Sequence, residues 1–298
     1  MLGREFHTYL KAERNYSIHT IQAYTHDLEG FHQFVSNAYE LDLFQRSEVD
    51  LVTHRMIRSW MGELLDSGLS KRSIARKLAS LNAYFQFLRK KSLLEQNPAA
   101  KVKVPKFEKK LPAFLKDASV EVLFEHLEYP ETVEGQRDRA LLELLYSCGL
   151  RRSEIIGLQY GNIDWANQTL KVMGKGRKER IVPFGDHARA ALRTYMLACD
   201  AESLSYRAHF FIRKDGQPLY PQLVYRVVNR YLQQASTLSK TSPHVLRHTF
   251  ATHLLDRGAD LNAIKELLGH SSLAATQVYV HNSISKLKDT HRKAHPKA

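Results

Sequence analysis

Over residues 3 to 91 the apolar positions recur at helical spacing, with no convincing alternation of the kind a strand would show. In SIHTIQAYTHDLEGFHQFV, Ile21, Tyr24, Leu28, Phe31 and Phe34 form one stripe, and Ser17 stands before it as an N-cap. HRMIRSWMGELLDSG stops at Gly68, and SKRSIARKLASLNAYFQFLRKK starts at Ser70. In that last segment Ile74, Leu78, Leu81, Phe85 and Leu88 follow a period near 3.6, so Arg72, Arg76, Lys77, Arg89 and Lys90 fall largely on its other faces. One side is built to pack; the other is free to meet phosphate.

The periodicity stops in NPAAKVKVPKFEKKLP, which carries three prolines and five lysines. This composition predicts a basic linker over 97–111, separating a helical domain over 1–96 from a second domain over 112–298. Such a linker is either simply solvated or laid along a nucleic-acid backbone.

Beyond it the pattern is mixed. SVEVLFEHL and GQRDRALLELLYSCG read as helices, and QTLKVMGKGRKERIVPF as a hairpin whose strands, Thr169–Met173 and Arg180–Phe184, flank a Gly-Lys-Gly-Arg-Lys tip. Helical patterns return at 220–234, 243–257, 261–268 and from Leu273 onward. The fold class is therefore mainly α with a small β component.

Charge narrows the choice of partner. The 298 residues hold 44 Lys and Arg against 31 Asp and Glu, a formal charge of +13, which favours a polyanion such as nucleic acid. Two cysteines are too few for a disulfide framework, no stretch approaches a membrane span, and the N-terminus has no apolar signal core, so a cytoplasmic protein away from the membrane is expected.

Four basic features are candidates for chemistry. In GLRRSEIIGL, Arg151 and Arg152 follow a glycine at a helix start, an end that favours anions; the pair suits a bound phosphate, or Arg151 pairs with Glu154. The hairpin tip holds Lys175 between two glycines, with Arg177 and Lys178 beside it. SPHVLRHTFATHLLDRG places His244 and Arg247 three apart on one helical face. GADLNAIKELLGHSSLAATQVYVH ends a helix at Gly269, presents His270 at the corner and carries Tyr279 in the helix that follows.

A zinc site at His244, His248 and His253 is disfavoured, because Arg247 would put a cation among the ligands and no third ligand set is apparent; His248 and His253 read as packing residues. Two arginines, a lysine, two histidines and a tyrosine, without a carboxylate cluster, suit phosphoryl transfer that needs neither metal nor other cofactor.

In order and spacing, GLRRSE, VMGKGRKERIVPFG, HVLRHTFATHLLDRGADL and LLGHSSLAATQVYVH resemble the signature of the tyrosine recombinase (phage integrase) family, and within it the bacterial Xer recombinases. YLKAERNYSIHTIQAYTHDLEGF and RSIARKLASLNAYFQFL are similar to that family's core-binding domain. The hairpin leans toward the XerC branch, while the tail reads partly like XerD. Arg152 and Ala274-Ala275 depart from the commoner pattern, which touches sequence preference or capping and not the chemistry.

The resemblance implies a helical core-binding domain and an α+β catalytic domain that close around DNA as a clamp. It implies that Arg151 and Arg247 hold the scissile phosphate, Lys175 protonates the leaving 5′ oxygen, His244 serves as acid and base, His270 hydrogen-bonds the phosphate and Tyr279 is the nucleophile. Glu154 would orient Arg151, and Arg72, Arg76, Lys77, Arg177 and Lys178 would contact DNA. The implied partners are duplex DNA with a short near-palindromic site, a second Xer recombinase in a tetramer, and a DNA translocase as activator. The tail after Tyr279 would dock on a neighbouring subunit. A mobile-element integrase, or a DNA-binding relative without catalysis, would share much of this pattern.

Overall fold

The computed structural model describes residues 2–103, 113–174, 179–269 and 293–296. The chain divides into two compact units, Met1–Lys110 and Leu111–Ala298.

The N-terminal unit is built from α1 (Leu2–Ala12), α2 (Ile18–Tyr39), α3 (His54–Asp66) and α4 (Lys71–Lys90). Ser17 and Ser70 cap α2 and α4 as their positions predict, each hydroxyl accepting a backbone N–H, from Thr20 and Ser73, at 3.2 Å. The apolar stripes of α1, α2 and α4 meet in an aromatic core that includes Phe6, Phe31, Tyr84 and Phe85. The one phenol among these four is satisfied, Tyr84 donating to the Leu43 carbonyl at 2.9 Å.

The first residues of the stretch expected to be a linker, 97–102, are ordered on the N-terminal unit. Asn97 accepts the Ala99 N–H at 2.9 Å, Pro98–Lys101 forms a 3₁₀ turn, and Ala99 and Val102 are buried in the N-terminal core. The small apolar residues between the lysines are what tie this stretch down; the lysines at 101 and 103 merely point outward from it.

The second unit is organised on α6 (Val133–Ser147). Its helical face pattern is weak because twelve of its residues are buried, as expected of a helix surrounded by its neighbours. Before it, SVEVLFEHL does not form one regular helix: α5 (Asp117–Glu121) passes directly into a π-helical turn, Val122–His126. After it come α7 (Arg152–Ile156) and an antiparallel sheet of β1 (Ile163–Asp164), β2 (Thr169–Met173) and β3 (Glu179–Pro183) in sequential order. The β2–β3 register pairs Val172 with Arg180 and Leu170 with Val182.

Helices α8 (Asp186–Ala201), α9 (Pro221–Ala235), α10 (Pro243–Asp256) and α11 (Leu261–Leu268) complete the described part, and α8 packs along α6. The hairpin tip at 175–178 and the segment 270–292 lie outside the described residues, so Lys175, Arg177, Lys178, His270 and Tyr279 do too. Of the tail after Tyr279, residues 293–296 are among those described. Ala294 and His295 are buried in their own unit, the His295 ring 4.7 Å from that of Tyr146 and 5.5 Å from that of Phe250. The aromatic faces of Tyr146 and Phe250 supply a local seat for that end of the tail.

Candidate functional site

The C-terminal end of α11 is where the site is assembled. A helix leaves its last carbonyls without intrahelical donors, and its dipole makes that end attractive to cations. Here three consecutive carbonyls each receive a guanidinium: Leu267 accepts from Arg180 Nε at 2.9 Å, Leu268 from Arg247 Nη2, and Gly269 from Arg151 Nη2 at 3.2 Å. Gly269 makes the arrangement possible by ending α11 in the left-handed region, at φ +63°, with its N–H returned to the Glu266 carbonyl.

Each arginine arrives from a different element. Arg151 is the N-cap of α7. The capping acceptor is Glu154, which takes the Arg151 backbone N–H at 2.8 Å on Oε2 and the Arg151 side chain at 2.8 Å on Oε1. Arg247 is buried one turn into α10 and donates also to the carbonyl of Gly149. Gly149 has φ +57°, and a Cβ there would fall 2.5 Å from Phe250 Cδ1, so only glycine can bring that carbonyl to Arg247.

Arg180, on β3, was not among the residues singled out from the sequence. Its guanidinium grips Glu154 in a fork, at 2.6 Å to Oε1 and 2.9 Å to Oε2. The signal was present in the strand pattern. Arg180 shares a face with buried Val182, and an arginine on an inward face requires an acceptor.

The electrostatics leave positive charge in excess. Two guanidiniums pair with one carboxylate whose side chain is 1% exposed, and the charge of a third, Arg247, is felt nearby. Burial alone would raise the Glu154 carboxyl; the hydrogen bonds from Arg180 and from the Arg151 backbone outweigh it and hold the group below the usual glutamate value. Arg247 is pushed below the usual arginine value, first by burial and then by the neighbouring charge of Arg151. An anion held between Arg151 and Arg247 would relieve both effects.

His244 stands exposed in the first turn of α10, three residues before Arg247. His253 is buried and hydrogen-bonded, to the Tyr146 hydroxyl at 3.1 Å and the Leu115 carbonyl at 2.9 Å, and His248 packs against Phe114. Among the described residues no group of three or more His, Cys, Asp or Glu is placed to hold a metal, and no helix is long and apolar enough to cross a membrane.

In the N-terminal unit, two of the expected DNA contacts already have an internal partner. Asp27 on α2 is fully buried and accepts from Arg76 and, at 3.1 Å, from Lys77, whose ammonium also lies 5.4 Å from the Trp60 ring centroid. Arg76 is nearly half exposed, so its remaining donors still face solvent; Lys77 is largely covered. Arg72 is exposed on the first turn of α4.

Comparison with known proteins agrees with this architecture. The phage integrase family model matches residues 113–286, and that of the phage integrase N-terminal SAM-like domain matches residues 4–92. The tyrosine recombinase XerC of Chlorobaculum tepidum is 41% identical, covering 99% of this chain and 94% of its own, and that of Bacillus subtilis is 38% identical, covering 98% and 95%. Among solved structures, XerH recombinase bound to palindromic difH substrate aligns with a TM-score of 0.70 at 22% identity over 97% of this chain and 80% of its own. The Tn1549 transposon integrase with transposon right-end DNA aligns with a TM-score of 0.70 at 18% identity over 96% and 99%. Near-full-length identity and both family models place the chain in the phage integrase family, as a tyrosine recombinase of the XerC type and hence a DNA strand-exchange enzyme.

Proposed function

We propose that this recombinase binds a short near-palindromic duplex site and exchanges strands through a 3′-phosphotyrosine link, with Arg151 and Arg247 as the clamp on the scissile phosphate. The observation that carries this reading is the trio of guanidiniums gathered on the carbonyls at the end of α11, two of them paired with Glu154, one residue before His270. A phosphodiester carries one negative charge and its five-coordinate transition state two. Three guanidiniums less one carboxylate offer a matching surplus, fixed in place before reaction begins.

Tyr279 attacks phosphorus and the 5′ oxygen leaves with a proton from Lys175. His244 takes the phenol proton and His270 adds a hydrogen bond to the phosphate. A 5′ hydroxyl from a second strand then reverses the step, and because one phosphodiester replaces another, neither nucleotide hydrolysis nor a ligase is needed. The two units close on DNA as a clamp. A second Xer recombinase completes the tetramer, a DNA translocase activates it, and the biological task is resolution of chromosome dimers at cell division.

The test is incubation with nicked site DNA. Wild type should give a protein–DNA adduct that survives SDS and Tyr279→Phe should give none; an adduct in the Phe variant would reject Tyr279 as nucleophile. Mapping the adducts on genomic DNA addresses the task. Links clustered near the replication terminus agree with dimer resolution, whereas links at mobile-element ends point to an integrase.

A further inference from the structure

We propose that Arg180 is a positioning residue for strand cleavage, acting through Glu154 on Arg151 and through the Leu267 carbonyl on the end of α11. The inference rests on the reading of Arg151 as part of the phosphate clamp.

Geometry supplies the argument. Glu154 sits beside the guanidinium that must receive a phosphate, and an unpaired carboxylate there would both repel the phosphate and engage Arg151 in a two-point fork of its own. Arg180 occupies the fork, taking both carboxylate oxygens at 2.6 and 2.9 Å. Arg151 is left with a single side-chain bond to Oε1, and its Nη2 turns to the Gly269 carbonyl. The side chain of Arg180 is only 11% exposed, so its cation is committed to this internal task and not offered to solvent.

The third donor extends the role. Arg180 Nε binds the Leu267 carbonyl, and its Cδ lies under Gly269. One side chain therefore joins the β2–β3 hairpin, whose tip carries Lys175, to the helix end that precedes His270. A shift of either element is felt at Glu154 and so at Arg151.

The experiment uses the full chain and two nicked duplexes carrying the mapped cleavage site, one with a normal scissile phosphate and one with a neutral methylphosphonate in its place. Arg180→Gln is expected to slow formation of the covalent adduct on phosphate by about ten- to hundredfold, the scale of a misplaced reacting group. Affinity for the duplex, set by many phosphate contacts, should change less than about threefold. On the methylphosphonate the loss should shrink to less than about threefold, because the charge that Arg151 meets is gone. A loss of equal size on both substrates, or cleavage at the wild-type rate, overturns the proposal. If Arg180→Gln does not fold, Arg180→Lys, which keeps the charge but cannot form the fork, carries the same comparison. Arg151→Gln is the control: wild-type cleavage by that variant sinks the clamp reading itself, while an inactive Arg151→Gln beside a fully active Arg180→Gln sinks only the role given to Arg180.

Discussion

The α-carbon of Gly269 rests on the stem of Arg180 so closely that a Cβ added there would stand 3.0 Å from Arg180 Cδ. Gly269 also holds a left-handed φ of +63°. Gly269→Ala should therefore cost about 1 kcal/mol in backbone strain and displace Arg180 as well. Cleavage of nicked site DNA should fall more than the melting temperature alone accounts for; full activity would show that Arg180 tolerates displacement.

Gly149 faces a harder obstacle. Its added Cβ would meet the Phe250 ring at 2.5 Å and Leu268 Cδ2 at 3.1 Å, again at positive φ. Gly149→Ala should destabilise the catalytic unit by about 2 kcal/mol or more and loosen Arg247, which loses a properly placed carbonyl. Urea denaturation of the full chain measures the first effect, and a loss below about 0.5 kcal/mol would mean that Phe250 can move aside.

Glu154 gives the catalytic unit an acid-sensitive component. Its folded value lies below the ordinary 4.5, so its contribution is complete above 4.5 and is lost as pH falls through the folded value. Glu154→Gln leaves two guanidiniums without their counter-charge and should cost about 3 kcal/mol at neutral pH. The variant's stability should then vary less than that of wild type as pH is lowered below 4.5. Parallel pH profiles for the two proteins would count against this assignment.

Asp27 is the matching test in the N-terminal unit. Asp27→Ala leaves Lys77 largely covered without its acceptor, whereas Arg76 can turn to solvent, so the expected loss is about 1–3 kcal/mol and not the full cost of an orphaned buried pair. Denaturation of Asp27→Ala alongside Arg76→Ala separates the two: the Asp27 change should be clearly the larger.

Much of this was readable from residue types and spacing. The period of 3.6 with Ser17 and Ser70 before it placed α2 and α4, and the helical pattern over 243–257 placed α10, because caps and apolar stripes are local properties. Arg151, Glu154 and Arg247 stood out as charged groups at helix starts. Arg180 did not, since its partners are a glutamate and a carbonyl far along the chain, and a strand pattern records only that the face is inward. The role of α11 was hidden for a similar reason. Its contribution comes from backbone carbonyls, which every residue possesses, so no side-chain motif marks them. The packing of Ala99 and Val102 into the N-terminal core was hidden because lysines and prolines dominate the composition around them.

The chain that enters the catalytic unit is fastened to the helix that presents Arg247. The Leu115 N–H donates to Thr249 and its carbonyl accepts from His253, both on α10. In mechanical terms α10 is a beam with Arg247 mounted near one end and the chain at Leu115 bolted along its length. A displacement of Leu115 therefore reaches the helix of Arg247 through two hydrogen bonds, without first passing through the sheet.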